Sequence, residues 1–189
     1  MFILIDNHDS FTFNLYQYFL ACGVQISVVN TDLVDLGEIR SMNPRGIIIS
    51  PGPGHPAQLP HIISLIQSVS GEIPILGVCL GFQAIGYAFG GSIIEGKEPV
   101  HGKVFPISHQ HSDLFADVPS PLNVTRYHSL ILDSNKLPPQ LFVTATTGDG
   151  TVMGIRHVTH PTYGVQFHPE AILTERGIDI IQNFIQMCP

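Results

Sequence analysis

The chain has 189 residues, and only 12% of them are charged, about half the share typical of globular proteins. The formal net charge of -7 argues against a nucleic-acid or acidic-membrane role, and no apolar stretch approaches the ~18 residues of a membrane span. Three widely spaced cysteines do not resemble a disulfide framework. We therefore expect a reduced, cytoplasmic protein forming a single domain over 1–189, and its low charge content favours a partner interface.

Three apolar runs in the first third of the chain predict buried strands, over residues 2–6, 25–30 and 46–50. The helices predicted between and after them cover 11–22, capped by Asp9 or Ser10, a short segment from Asp32 to before Pro44, and 59–69. A fourth strand and another helix follow around residue 79. Strands that alternate with helices at these lengths predict an α/β fold with a doubly wound, mostly parallel sheet.

The second half of the chain has a different pattern. Short β-like runs broken by proline and glycine predict an antiparallel extension that continues the first sheet, without a linker. These runs cover 92–94, 103–107, 122–125, 141–145, 152–156 and 163–167. A last amphipathic helix is predicted near 174–187, with Ile178, Ile181, Phe184 and Ile185 facing inward.

The most informative cysteine lies in Gly77-x-Cys79-x-Gly81, between an apolar strand and a helix. This is the cysteine counterpart of the nucleophile elbow, whose sharp turn leaves no room for flanking side chains. Such a turn places Cys79 at a helix N-terminus, where the dipole and free N–H groups favour a thiolate. A buried apolar cysteine is the alternative, but the two glycines and the strand-to-helix switch favour a nucleophile.

A base for this nucleophile is predicted in the run from Gly164 to Glu170. His168 follows a strand, at the edge where open α/β sheets bind ligands, and Pro169 biases it toward an extended conformation. Glu170 is close enough to accept a hydrogen bond from the imidazole. A histidine and an acid two residues apart are more often a solvated loop pair, but together with Cys79 they give a nucleophile–base–acid order.

The loop Ser50-Pro51-Gly52-Pro53-Gly54 ends another buried strand. Its glycines let backbone N–H groups approach a ligand, so Gly52 and Leu80 can form an oxyanion hole. A tight turn and a phosphate-binding loop are the alternatives, although G-x-G-x-x-G and a Walker lysine are missing. The pair in His109-Gln110-His111 lacks a supporting metal-ligand pattern, so we predict no metal and no cofactor.

Together these motifs resemble the class I glutamine amidotransferases, of the subunit type that pairs with chorismate-aminating synthases. The resemblance covers essentially the whole chain. It rests on Asp-Asn-x-Asp-Ser-Phe-Thr-x-Asn-Leu at 6–15, the loop at 50–54, Gly-Val-Cys-Leu-Gly-x-Gln-Ala-Ile-Gly at 77–86, His-Gly-Lys at 101–103, Arg-Tyr-His-Ser-Leu at 126–130, Met-Gly-Ile-Arg-His at 153–157 and Gly-Val-Gln-Phe-His-Pro-Glu at 164–170. The first of these motifs points to the chorismate branch of the family.

The resemblance implies a site that hydrolyses L-glutamine through a γ-glutamyl thioester. It assigns the triad to Cys79, His168 and Glu170, the oxyanion donors to Gly52 and Leu80, and substrate binding to Gly52, Pro53, Gly54, Gln83, Ser129 and Leu130. It also implies a separate chorismate-binding synthase subunit (component I) that receives the ammonia and makes anthranilate or aminodeoxychorismate, with 101–103 as a contact loop. Two residues depart from the family pattern, Phe82 for histidine and Ala171 for serine.

Two other functions remain open at this point. One is a stand-alone cysteine hydrolase of γ-glutamyl substrates, which would need no partner. The other is a non-catalytic, flavodoxin-like binding module, which would have no need of all three triad positions.

Overall fold

A computed structural model describes residues 1–189 as eleven strands and five α-helices. The strands are β1 (Phe2–Asp6), β2 (Ile26–Asn30), β3 (Gly46–Ile49), β4 (Ile75–Val78), β5 (Ile93–Glu95), β6 (Lys103–His109), β7 (Leu122–Arg126), β8 (Leu130–Leu132), β9 (Leu141–Thr147), β10 (Val152–His157) and β11 (Thr162–Val165). The helices are α1 (Thr12–Ala21), α2 (Leu36–Ser41), α3 (Pro60–Val69), α4 (Leu80–Ala88) and α5 (Gly177–Met187).

Nine strands form one sheet in the order β2-β1-β3-β4-β11-β10-β9-β6-β7. The pairs from β2 to β11 are parallel, and the pairs from β11 to β7 are antiparallel. The predicted α/β class and the antiparallel extension are confirmed. β11 lies beside β4 although their first residues are 87 positions apart (162 minus 75), and this pairing brings the end of β11 to Cys79.

The parallel strands are apolar throughout because both faces of the sheet are covered. Along β1, Phe2 and Leu4 belong to one hydrophobic cluster, and Ile3 and Ile5 belong to the other. Buried residues of α1 and α5 pack in the first cluster, and those of α2, α3 and α4 pack in the second. Burial on both faces explains why these strands show no polar alternation.

Several local predictions are wrong in detail. Neither Asp9 nor Ser10 is the residue that precedes α1, which is Phe11; Asp9 instead accepts a hydrogen bond from the Phe11 N–H at 2.8 Å. The helix predicted near 174–187 begins at Gly177. Of the residues predicted to face inward, Ile181 and Phe184 are buried, but Ile178 and Ile185 are only half-buried, and Ile180 is buried instead.

The apolar run at 92–94 does not join the main sheet. It forms β5, which pairs antiparallel with β8 in a separate two-stranded sheet. The strand β8 has three residues and escapes prediction, because so short a run gives no measurable alternation. No helix of the chain is both long and apolar enough to cross a membrane.

Replacing Phe184 by alanine should lower the free energy of unfolding by about 3–5 kcal/mol, because its ring is fully buried among other rings. Its centroid lies 6.3 Å from that of Phe2, 6.5 Å from that of Phe19 and 6.4 Å from that of Tyr163. The matched control, Phe13→Ala, removes a ring that is 59% exposed and should cost about 0.5 kcal/mol or less. Urea unfolding measures the free energy of unfolding of both variants. Equal losses of stability in the two would contradict the assigned core.

Candidate active site

Cys79 lies at the sharp turn between β4 and α4, with φ 52° and ψ -100°. A positive φ is rare for a residue with a side chain and stores strain, which is typical of functional sites. The Cys79 N–H donates to the carbonyl of Val165 at 2.9 Å, so the turn is tied to the end of β11. The residue is only 7% exposed. The nucleophile candidate is therefore held in one conformation.

The two glycines that flank this turn are required by close packing. A Cβ on Gly77 would lie 2.5 Å from the carbonyl carbon of Gly81, and a Cβ on Gly81 would overlap the carbonyl oxygen of Ile49. The predicted reason for Gly-x-Cys-x-Gly is borne out, since β3, β4 and the start of α4 touch through backbone atoms.

His168 and Glu170 form a buried pair. The Nδ1 atom of His168 lies 2.7 Å from Oε1 of Glu170, and the two residues are 2% and 3% exposed. The backbone around them is also fixed: the His168 N–H donates to the carbonyl of Thr125 at 3.1 Å, and its carbonyl accepts from the Thr174 hydroxyl at 2.7 Å. This geometry fixes the orientation of the imidazole.

The charge of the imidazole is set by competing effects. Burial alone would lower the pKa of His168, but its interactions with Cys79 and Glu170 outweigh burial and raise the pKa to about 10. The ring is therefore protonated at neutral pH. The Nε2 atom is buried without a hydrogen-bond partner in the chain. An unpartnered buried nitrogen next to a cysteine is suited to exchange a proton with a reacting group.

Two aromatic rings frame the imidazole. The ring centroid of Tyr127 lies 5.1 Å from that of His168, and the centroid of Phe11 lies 5.5 Å from it, both edge-on. Tyr127 also contacts the ring of His101, at 5.2 Å. The predicted contact loop 101–103 therefore contacts Tyr127, which in turn contacts His168.

Two buried carboxamides connect Cys79 to β8. The Nε2 atom of Gln83 donates to the carbonyl of Leu130 at 3.0 Å and to Oε1 of Gln166 at 3.2 Å. The Nε2 atom of Gln166 lies 3.7 Å from the sulfur of Cys79, within range of a hydrogen bond to sulfur. Gln83 is among the residues that the sequence predicts for the site. Gln166 is not, although it stands two residues before His168, a spacing that puts two side chains on the same side of an extended chain.

The Leu130 carbonyl is held from its other side by a histidine. His128 Nδ1 lies 2.9 Å from this oxygen, and Nε2 of His128 accepts from Nε of Arg126 at 3.0 Å. Burial, followed by the positive charge of Arg126, lowers the pKa of His128 to about 4. At neutral pH the ring is therefore neutral and carries its proton on Nδ1.

The two residues predicted to donate to the oxyanion, Gly52 and Leu80, pack against each other. A Cβ on Gly52 would be 2.7 Å from both Cβ of Asn7 and Cδ2 of Leu80, so Gly52 packs against the first residue of α4. The Leu80 N–H belongs to the first turn of a helix, where N–H groups have no intrahelical acceptor. Ser50 positions this loop, because its hydroxyl accepts from the Asn7 N–H and its carbonyl accepts from the Asn7 side chain, both at 2.9 Å.

The other predicted residues are distributed unevenly. Leu130 is the first residue of β8 and its carbonyl accepts a hydrogen bond from Gln83, and Ser129 directly precedes it. Pro53 and Gly54 lie on the exposed turn after β3, and no hydrogen bond links either to the buried cluster.

The two departures from the family pattern are packing residues. Phe82 is fully buried in the second hydrophobic cluster, where it packs against Gly164. Ala171 is 5% exposed, directly after Glu170.

Comparison with known proteins identifies relatives along the whole chain. Residues 3–188 match the family profile described as glutamine amidotransferase class-I. An aminodeoxychorismate synthase component 2 from Klebsiella aerogenes is 47% identical over 185 residues, which cover 98% of this chain and 99% of the relative. An anthranilate synthase component 2 from Pseudomonas aeruginosa is 44% identical over 191 residues, covering 98% and 95% of the two chains.

A solved structure has the same fold. It is that of a protein from Thermoplasma acidophilum described as part of a GMP synthase, and it superposes with a TM-score of 0.88 at 29% sequence identity. The match covers 99% of this chain and 92% of the other.

The pKa of His128 predicts a specific pH dependence of stability. Because the pKa of about 4 in the folded chain is below the ordinary value of 6.5, unfolding takes up a proton between these values, and stability falls as the pH drops through this range. Between pH 7 and pH 4.5, the free energy of unfolding of the wild-type chain should fall by about 2 kcal/mol more than that of His128→Gln.

Urea unfolding at the two pH values measures this difference. Gln67→Met is the control, since it removes the hydrogen bond from Gln67 to the carbonyl of Ala88 but no titratable group, and should keep the wild-type pH dependence. If the free energy of unfolding of His128→Gln falls between the two pH values as much as that of the wild type, His128 does not cause the pH dependence.

Proposed function

Because the chain belongs to the class I glutamine amidotransferase family, we propose that it hydrolyses L-glutamine at Cys79 and delivers ammonia to a separate synthase subunit that acts on chorismate. Glutamine amidotransferase activity follows from the family. The assignment of the triad, the substrate contacts and the partner is our proposal.

The observation that carries the triad is the buried arrangement of Cys79, His168 and Glu170. The sulfur is at a strained turn before a helix, the imidazole is protonated because of its two neighbours, and the carboxylate holds Nδ1. A positively charged imidazole stabilises negative charge on an adjacent sulfur, and the thiolate is the reactive form of cysteine.

In the first step, the Cys79 thiolate attacks the side-chain carbonyl carbon of glutamine and forms a C–S bond. The carbonyl π electrons move to oxygen, and the N–H groups of Gly52 and Leu80 stabilise the resulting oxyanion. One donor of this type typically contributes ~3 kcal/mol to the transition state.

In the second step, the oxyanion collapses and the C–N bond breaks. His168 gives the Nε2 proton to the departing nitrogen, so ammonia leaves and a γ-glutamyl thioester remains. His168 then removes a proton from water, which attacks the thioester. Collapse of this second oxyanion releases glutamate and regenerates the thiolate, while Glu170 keeps the imidazole oriented throughout.

The amino-acid end of glutamine also needs binding residues near the sulfur in this proposal. We assign this role to Gln83 and to the backbone of Ser129 and Leu130, as the family resemblance implies. Their contact with each other through the Leu130 carbonyl supports the assignment. Gly52, Pro53 and Gly54 line the other side of the substrate in this proposal.

The synthase partner is proposed from two observations. The relatives that match over nearly their full length are named as component 2 of synthases, for aminodeoxychorismate and for anthranilate. Large apolar side chains are also exposed next to the site: Ile172 is 94% exposed and Leu173 is 59% exposed, two and three residues after Glu170. Exposed apolar residues beside an active site favour a docking face.

On this basis ammonia passes to chorismate bound in the partner, which yields anthranilate or 4-amino-4-deoxychorismate. The loop 101–103 would contact the partner, as the family resemblance implies. Its His101 ring contacts Tyr127, which contacts His168, so the loop lies close to the proposed triad. We also propose that the protein works in the cytoplasm, where thiols stay reduced; all three of its cysteines are free.

Cys79→Ala should abolish glutamine hydrolysis and leave folding intact, because the substitution removes only the sulfur. Ammonia and glutamate release measure activity, and circular dichroism checks the fold. Cys22→Ala is the matched control, because Cys22 is in neither the triad nor its contacts, and should keep wild-type turnover. Turnover by the Cys79 variant would refute the proposed nucleophile.

Glutaminase activity should be weak for this chain alone and should rise when the synthase subunit is added. Ile172→Asp should reduce that rise and leave the activity of the free chain unchanged, because it places a charge on the proposed docking face. Val158→Asp is the control, since Val158 is also exposed (47%). Val158 follows β10, which runs antiparallel to β11, so it lies at the sheet edge opposite to Cys79. Equal rates with and without the synthase would exclude this partner relationship.

A further inference from the structure

We propose that Gln166 is a positioning residue that donates an N–H to the Cys79 sulfur and stabilises its thiolate form before glutamine binds. This inference rests on the proposed function, because it takes Cys79 as the nucleophile. It is carried by the hydrogen-bonding network behind the sulfur, which permits only one orientation of the Gln166 carboxamide.

The network begins at Arg126, which can only donate hydrogen bonds. Its Nε donates to Nε2 of His128, and the proton of His128 must then be on Nδ1, which donates to the carbonyl of Leu130. The orientation of this histidine is thus fixed by a neighbour that has no acceptor.

The Leu130 carbonyl in turn orients Gln83. A carbonyl oxygen can only accept, so the Gln83 atom 3.0 Å away must be the nitrogen. This nitrogen has a second proton, which it donates to Gln166 at 3.2 Å. The Gln166 atom that receives it must be the oxygen.

The orientation of Gln166 follows directly. With Oε1 facing Gln83, its Nε2 faces the Cys79 sulfur, at 3.7 Å. The side chain is fully buried, so water does not compete for this N–H. A buried N–H that faces sulfur favours the negatively charged form, since hydrogen bonds to charged acceptors are stronger than those to neutral ones.

This contact gives the sulfur a second stabilising group, different in kind from the first. His168 supplies a positive charge and a proton that leaves during the reaction, whereas the Gln166 amide does not exchange its proton with substrate. The same network also joins the nucleophile to Gln83, so a substrate that moves the Gln83 carboxamide would weaken the N–H bond to sulfur.

The test is the pH dependence of Cys79 alkylation by iodoacetamide, with the site of modification read by mass spectrometry of peptides. Cys188 does not compete at neutral pH, because burial raises the pKa of its thiol to about 12. Gln166→Met keeps the length of the side chain and removes the donor. It should move the midpoint of the alkylation profile upward by about one pH unit, the size expected for a lost hydrogen bond to a charged acceptor.

Two further single variants and one double variant separate this role from a structural one. Gln67→Met makes the same replacement at a carboxamide that bonds to the Ala88 carbonyl, and should leave the midpoint unchanged. Gln83→Met lets the Gln166 carboxamide turn, so it should give a smaller upward shift than Gln166→Met. The double variant should show no more than the Gln166→Met shift. A wild-type midpoint in Gln166→Met would overturn the inference.

A measurement on the wild-type chain covers the case in which Gln166→Met does not fold. In nitrogen-15 NMR spectra, the signals of the Gln166 side-chain amide should shift as the pH is changed, with the same midpoint as the alkylation of Cys79. In Cys79→Ala this pH-dependent shift should be absent. The same transition in Cys79→Ala would contradict the N–H contact. If Cys79 is not the alkylated cysteine in the wild type, the proposed function itself fails, which is a different outcome.

Discussion

The backbone turn at Cys79 is the constraint on which the rest of the site depends. A non-glycine residue at φ 52° is unfavourable by about 1–3 kcal/mol and persists only where the surroundings leave no alternative. Here Gly77 and Gly81 bring β4, α4 and β3 within backbone contact, and no larger residue fits at either position. This strained turn places the Cys79 sulfur at the sheet edge where the parallel strands end.

The second requirement is a set of polar groups that the fold buries without complete partners. His168 Nε2 and Glu170 Oε2 both lack a hydrogen-bond partner inside the protein, which is costly in a well-packed interior. Each such group needs an explanation, and a catalytic role is one that fits His168 Nε2. Around them, the His168 backbone and the two carboxamides are hydrogen-bonded. The Asn7 Oδ1 and Thr125 Oγ1 atoms are buried without partners as well, but neither belongs to the proposed triad.

Much of this could be predicted from the sequence, because the decisive signals are local. The continuous apolar runs predict the parallel strands, and the glycines around residue 79 predict the turn. The proximity of Cys79 and His168, 89 positions apart, follows from both lying at strand ends of one sheet. The contact of Gln166 with the sulfur could not be predicted, since it depends on the register of β11 against β4 and on an orientation set by the Leu130 carbonyl through Gln83. The start of α5 could not be predicted either, because the tight approach of Gly177 to Pro169 is a tertiary contact.

The most direct test of the central claim is covalent capture of the nucleophile by a glutamine analogue that carries an electrophilic diazoketone in place of the amide. Incubation of the wild-type chain with this analogue, with and without excess L-glutamine, is followed by peptide mass spectrometry. We expect one adduct, on the peptide that contains Cys79, and protection by glutamine. Labelling of Cys22 or Cys188 instead, or labelling of Cys79 that glutamine does not slow, would contradict the proposal that this sulfur attacks the glutamine amide.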